Sequence, residues 1–171
     1  MEFLIKRAQK GDKDAFIEAI NLCVPQLYKM GKPLISNDND IGDIISETIL
    51  ISFEKLNTLR EPIYFKTWLI RIYLNNINKH LKNNIKVINI DDLNHLSYKD
   101  KSIENFELKE AIKTLKEDYK VVITLFYIMD FSIKEISKIL NEKEGTIKSK
   151  LSRARSSLRE YYGLNKGVNN G

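Results

Sequence analysis

One cysteine, three prolines, seven glycines and a single tryptophan are spread over 171 residues, and each scarcity removes a class of protein. A lone Cys23 cannot build an intrachain disulfide framework, and its apolar helical surroundings suit a small core residue. So few Gly and Pro exclude collagen-like, Gly-rich and Pro-rich repeats. Gly11, Gly31, Gly42, Gly145, Gly163, Gly167 and Gly171 form neither a phosphate-binding loop nor a dinucleotide fingerprint. The two histidines, His80 and His95, lie far apart without a cysteine or carboxylate pattern for a metal. The longest largely apolar run, Val121 to Met129, spans nine residues, against the ~20 that a membrane helix needs. Residues 1–20 carry Glu2, Lys6, Arg7, Lys10 and Asp12 where a signal peptide stays apolar. The expectation is a soluble cytoplasmic protein with no cofactor, no metal and no catalytic residues.

What is present is globular: 43% of residues are hydrophobic and 30% charged, enough for a real core at this length. Lys plus Arg number 28 against 23 Asp plus Glu, a net charge of +5. The distribution says more than the sum. Pro62 to Ile90 holds Lys66, Arg71, Lys79, Lys82 and Lys86 with no acid, and Lys143 onward holds Lys143, Lys148, Lys150, Arg153, Arg155, Arg159 and Lys166 against Glu144 and Glu160. Two separate basic zones fit nucleic-acid binding, although a solvated charged face explains either zone alone.

The chain reads as helical almost throughout. Phe3, Leu4 and Ala8 start a short helix that Gly11 ends. Asp14 precedes Phe16, Ile17, Ile20, Val24 and Leu27, spaced as a helix that runs to Gly31–Pro33. Asp40 is a natural N-cap, and Asp43 completes an acidic variant of the capping box for a helix running to about Leu56. Asn57 to Ile63 has a proline and no period, a loop. Tyr64 to Leu81 carries two adjacent apolar stripes and belongs inside a bundle. Ile85 to Ile90 suits a brief extended stretch within a flexible linker, 85–101, before a second unit at 102–163 and a tail at 164–171.

That second unit carries the strongest motif. Helices are predicted from about Ser102 to Leu115 and from Tyr119 to Asp130. Ser132 and Glu135 form a capping box for a short helix with Ile133, Ile136, Ile139 and Leu140 inward, and Asn141 suits its left-handed end. Gly145-Thr146 opens the next helix, where Ile147, Leu151, Ala154 and Leu158 recur at helical spacing. This is a helix-turn-helix. Opposite its apolar stripe lie Ser149, Ser152, Arg153 and Ser156. Small residues admit a close approach to the major groove, and Arg153 and Lys148 suit guanine N7 and O6. Lys150, Arg155 and Thr146 suit phosphates. A charged amphipathic helix in a bundle is the plainer alternative.

The segment Ile112 to Tyr127, Phe131 to Leu140 and Gly145 to Arg155 resembles the region-four domain of bacterial extracytoplasmic-function sigma factors. Asp40-Ile-Gly-Asp-Ile-Ile-Ser-Glu-Thr48 resembles the acidic signature of their region two, and Phe65-Lys-Thr-Trp-Leu-Ile-Arg-Ile-Tyr-Leu-Asn75 their strand-separating helix. The likeness runs in order from Leu4 to Tyr162. It implies an all-α protein of two small helical domains, region two at 1–84 and region four at 102–163, that carries core RNA polymerase to promoter DNA without catalysing nucleotide transfer. It also implies contacts with the clamp and flap of the polymerase and an anti-sigma partner, often membrane-anchored.

The residues of the first half suit that role. Arg71, Asn75, Asn78 and Lys82 form a polar stripe beside Lys79 on the helix that bears Trp68. Asn amides pair with exposed base edges, while Arg71, Lys79 and Lys82 track a strand. Phe65, Trp68 and Tyr73 offer π-faces to unstacked bases, and a core role is open to Phe65 and Trp68. By resemblance Asp40, Asp43 and Glu47 face the polymerase clamp; capping alone also accounts for Asp40 and Asp43. Two departures stand out. Glu142 occupies a turn position usually apolar, with Lys143 near where a capping Ser is usual, a loss of about 1 kcal/mol. Leu59-Arg60-Glu61-Pro62 replaces the family's Gly/Arg-rich lead, in a loop that contributes to minus-ten selectivity. A stand-alone helix-turn-helix regulator that binds duplex DNA as a dimer, with the N-terminal half as a dimerisation or sensing module, is the competing reading.

Overall fold

The computed structural model describes residues 1–87 and 110–168, with side chains at 1–83 and 110–163, and every regular element among them is helical. Helix α1 (Glu2–Ala8) turns Leu4, Ile5 and Ala8 inward. The chain leaves it through Gly11 at φ 97°, a conformation that favours glycine. Asp12, rather than Asp14, caps α2 (Lys13–Gly31), accepting the Ala15 amide at 3.0 Å while Arg7 grips the same carboxylate. The Ala15 bond first, then Arg7, hold that carboxyl below its ordinary range.

Helix α2 ends at Gly31, two residues before Pro33, and a side chain has no room at Gly31. An added Cβ would overlap the Tyr73 hydroxyl and lie 3.0 Å from Ile41 Cγ2. Helix α3 (Asp38–Glu54) corrects one expectation: its N-cap is Asn37, whose side chain accepts the Asn39 amide at 2.9 Å. Asp40 instead lies inside the first turn, where its charge favours the helix dipole, and it forms no capping box with Asp43. Ile41, Ile44, Ile45, Thr48 and Ser52 face the core.

The loop expected from Asn57 to Ile63 is irregular only at 59–61, between two 3₁₀ turns, Leu56–Thr58 and Pro62–Tyr64. Leu56 and Leu59 are buried, and Gln9 Nε2 donates to both their carbonyls, at 3.1 and 2.7 Å. Helix α4 (Phe65–Val87) follows, burying Phe65, Leu69, Ile70, Tyr73, Leu74, Asn76 and Ile77. It continues past Leu81 and takes in Ile85–Val87, where an extended stretch was expected. No Gly or Pro interrupts 65–87, so nothing local stops it. The rest of the expected linker, 88–101, and the start of the helix predicted from Ser102 lie outside the described residues. Thr48, fully buried on α3, donates to the Ile44 carbonyl and accepts Asn76 Nδ2 of α4 at 3.0 Å, so the inner polar groups of this pair are matched.

In the second half, residues 110–113 are helical. Helix α5 (Glu117–Ile123) runs into one π turn, Thr124–Ile128, closed by Met129 N–H on the Thr124 carbonyl at 3.0 Å. The single helix expected from Tyr119 to Asp130 is therefore two geometries, ending at Asp130 with φ 57°. Helices α6 (Ile133–Leu140) and α7 (Glu144–Val168) complete the unit, and α7 continues through 164–168, expected as tail. Val122, Ile123, Leu125, Ile136, Ile139, Ile147, Leu151 and Ala154 form its interior. The two helical clusters touch. Helix α4 packs on α6 and α2 on the π turn, so their buried residues are contiguous.

Candidate nucleic-acid interface

The helix-turn-helix is built as its local sequence requires. Ser132 Oγ accepts the Glu135 amide at 3.3 Å, while the Glu135 carboxylate accepts the Ser132 amide at 2.8 Å and its hydroxyl at 2.6 Å. These bonds, the hydroxyl first, pull the Glu135 carboxyl below its usual range. Asn141 ends α6 in the left-handed conformation at φ 54°. Ser137 then ties the turn from inside: its hydroxyl donates to the Glu142 carbonyl at 2.5 Å, and its own carbonyl accepts the Glu142 amide at 3.0 Å.

Glu142 is the residue that sequence reasoning marked as a lost apolar plug. In place of apolar contact it takes Lys150 Nζ at 2.7 Å, and Lys150 also reaches Asp118 at 3.1 Å. Burial works against the Lys150 charge, but the two carboxylates outweigh it and the ammonium titrates above its ordinary value. Lys150 thus joins α7, the turn and the start of α5. The spacing of eight residues across a turn gives no periodic signal for this pair; a lysine on the side of α7 that faces the turn was the only clue.

Helix α7 buries Ile147, Leu151 and Ala154, which leaves Thr146, Lys148, Ser149, Ser152, Arg153, Arg155 and Ser156 exposed. The Ser149 and Ser156 hydroxyls donate back to the Gly145 and Ser152 carbonyls, so they lie close to the helix and keep its surface low. A low, basic, exposed face is what a helix entering the major groove requires.

On α4, Phe65 and Tyr73 are fully buried, which removes Tyr73 as a base-stacking platform and assigns Phe65 to the core. Trp68 is half-buried against Phe65, ring centroids 5.9 Å apart. Arg71, Asn75, Asn78, Lys79 and Lys82 are exposed on the helix. Lys79 pairs with Glu47 at 2.8 Å, and His80 Nε2 lies 3.3 Å from an Asp40 oxygen, so the acidic side of α3 adjoins the polar side of α4. Asp43 is exposed. Arg71 has a use the sequence does not signal: its guanidinium donates to the Lys138 and Ile139 carbonyls at the end of α6. Lys138 in turn holds its ammonium 5.5 Å from the Tyr64 ring centroid. Between the halves lies a cleft of about 300 Å³ with Arg71, Asn75 and Asn78 on one wall and Asp118, Glu142 and Lys150 on the other.

Two helical clusters, one a helix-turn-helix with an exposed basic face, present a surface suited to duplex DNA. The model of the family "Sigma-70, region 4" matches residues 105–158. The ECF RNA polymerase sigma factor SigW of Bacillus subtilis is 28% identical, the match covering 91% of this chain and 93% of SigW. The ECF RNA polymerase sigma-E factor of Escherichia coli K12 is 27% identical, over 92% and 91% of the two chains. In fold, the chain is similar to CnrH solved in complex with the cytosolic domain of CnrY, with a TM-score of 0.75 and 19% identity over 95% of this chain and 97% of that one. It is also similar to the sigma factor RpoE of Bartonella quintana, solved with the anti-sigma factor NepR, with a TM-score of 0.71 and 23% identity over 87% and 97%. Along more than nine-tenths of its length the chain is similar to ECF RNA polymerase sigma factors. Among the described residues no helix is long and apolar enough to cross a membrane.

Proposed function

We propose that this sigma factor divides promoter recognition between its two helical units. As an ECF sigma factor it binds core RNA polymerase and directs transcription initiation. The exposed face of α7 reads the minus-thirty-five element, with Lys148 and Arg153 on base edges and Thr146, Ser149, Ser152 and Arg155 fixing the approach. Helix α4 handles the minus-ten strand through Asn75, Asn78, Lys79 and Lys82, with Arg71 and the half-buried Trp68 beside them. Asp40, Asp43 and Glu47 on α3 meet basic residues of core polymerase. The observation that supports this reading best is the similarity to ECF sigma factors along more than nine-tenths of both chains. It joins an exposed basic helix-turn-helix face.

Such a factor works in the cytoplasm, where core polymerase and promoters are. An anti-sigma protein that holds it silent is the partner proposed, by extension from the Bartonella RpoE complex with NepR. The deciding experiment is run-off transcription with purified core polymerase and a selected promoter library. The factor is expected to direct initiation only when core is present, and to bind duplex weakly alone. Tight operator binding without core, and no initiation with it, would establish the stand-alone regulator instead.

A further inference from the structure

Arg71 belongs both to the polar stripe proposed for the minus-ten strand and to a contact with the opposite half of the molecule. Its Nε donates to the Ile139 carbonyl at 3.3 Å and its terminal nitrogen to the Lys138 carbonyl. These carbonyls belong to the last turn of α6, which Asn141 closes in the left-handed conformation. The last turn of a helix carries acceptors without intrahelical partners and the negative end of the dipole, so a guanidinium there is favoured twice. The residues that follow Arg71 on the same stripe, Asn75 and Asn78, are exposed and also line the cleft whose other wall carries Asp118, Glu142 and Lys150. On the flank, Lys138 lies over the Tyr64 ring at 5.5 Å.

We infer that Arg71 is a latch: in the free factor it fastens the strand-handling face of α4 onto the factor's own helix-turn-helix. That closed form and strand binding exclude one another. A guanidinium committed to the carbonyls of α6 cannot also follow a phosphate backbone, and a strand laid along Arg71, Asn75 and Asn78 needs the space that α6 and the turn occupy. The recognition face of α7 stays exposed in the closed form, so the latch acts on the minus-ten half alone. This also assigns a use to the unusual turn. With Glu142 tied to Lys150 and Ser137, the end of α6 is a rigid receptor for the arginine. The strand-binding consequence rests on the proposed function; the latch itself does not.

The test therefore uses neither DNA nor polymerase. Spin labels at Ser46 on α3 and Ser156 on α7, both exposed, in a Cys23→Ala background, report the distance between the halves by electron double resonance. The otherwise unaltered factor is expected to give one narrow distance. Arg71→Ala is expected to raise the ratio of open to closed molecules about tenfold, the scale of a charge-assisted hydrogen-bond pair, and to broaden the distribution. Arg71→Lys, which keeps one donor and the charge, is expected to fall between. Arg71 is exposed, so circular dichroism and melting of each half are expected to be unchanged. An unchanged narrow distance in Arg71→Ala overturns the latch, as does a broad distribution before any substitution. A factor that closes through Arg71 yet fails to support initiation with core would sink the proposed function and leave the latch standing.

Discussion

The buried Tyr73 hydroxyl allows a prediction whose sign runs against the usual rule for core substitutions. Tyr73 is 0% exposed, and its hydroxyl has no hydrogen-bond partner. Burial alone drives the phenol well above its ordinary titration range, so the group is neutral and simply unsolvated. Tyr73→Phe removes an unsatisfied polar atom whose desolvation costs about 1–3 kcal/mol. The void left behind, about 10 Å³, returns only about 0.2 kcal/mol. The variant is expected to be more stable by about 1–3 kcal/mol, a rise of about 2–4 °C in Tm for each kcal/mol. Gly31→Ala in the unaltered protein drives a methyl into that hydroxyl and is expected to cost about 1–3 kcal/mol. In the double variant the hydroxyl is gone while the Ile41 contact at 3.0 Å remains. The cycle is therefore expected to show about 0.5–2 kcal/mol of favourable coupling. Urea and thermal denaturation of the four proteins measure it. Minus-ten opening should be unchanged in Tyr73→Phe, because the ring never reaches solvent. A Tyr73→Phe that loses more than about 1 kcal/mol, or an additive cycle, would refute the reasoning.

Replacing Arg153 or Lys148 by Ala is expected to cost about 1–3 kcal/mol at one or two minus-thirty-five base positions, read from binding or run-off across a promoter library; uniform loss at every sequence would assign both to phosphates. Asp43→Lys with Glu47→Lys should weaken assembly with core polymerase while circular dichroism stays unchanged, and unaltered affinity would reduce the acidic side of α3 to a solvated face. Ser132→Ala should remove about 1 kcal/mol by undoing the capping box. Because the folded Glu135 carboxyl is depressed, its contribution is fully present above the unfolded value of about 4.3 and is lost as pH falls through the folded one. The stability gap between Ser132→Ala and the unaltered protein should therefore narrow, without closing, as pH falls below the unfolded carboxyl value, because the Ser132 hydroxyl still accepts the Glu135 amide. A gap that is constant with pH would separate the cap from the carboxylate.

Where a feature is decided by residues within a turn or two of each other, the sequence was enough. Ser132 with Glu135, Asn141 at the end of α6 and the inward Ile147, Leu151 and Ala154 were all legible, because capping and the helical period are local properties. The start of α3 was not, since Asn37, Asp38, Asn39 and Asp40 are four adjacent capping-competent residues and propensity does not single out Asn37. The π turn at Thr124–Ile128 has no compositional mark in a run that suits an α-helix equally well. The contacts that change how the site is understood are the long-range ones. Arg71 reads as one more cation on a polar stripe until α6 is brought against it, and Lys150 as one more phosphate contact until the turn places Glu142 and Asp118 around it. Sequence spacing locates a charge on a helix face but not the carbonyl or carboxylate that another segment will offer it.

The clamp that Gln9 places on the 3₁₀ turns has a consequence for how such a protein can diversify. Leu56 and Leu59 are the sunken feet of that segment, and a single amide, from Gln9 at the end of α1, fastens the backbone at both. Arg60, Glu61 and Ile63, just beyond, are exposed. Foundation and display are thus carried by different residues. The displayed side chains can be exchanged wholesale without disturbing a helix, because none of them holds the segment in place, whereas a change at Gln9 would loosen all of them together. A lineage can retune what this edge of the protein meets by substituting a few surface positions in one short stretch, on a mount that the first nine residues keep still.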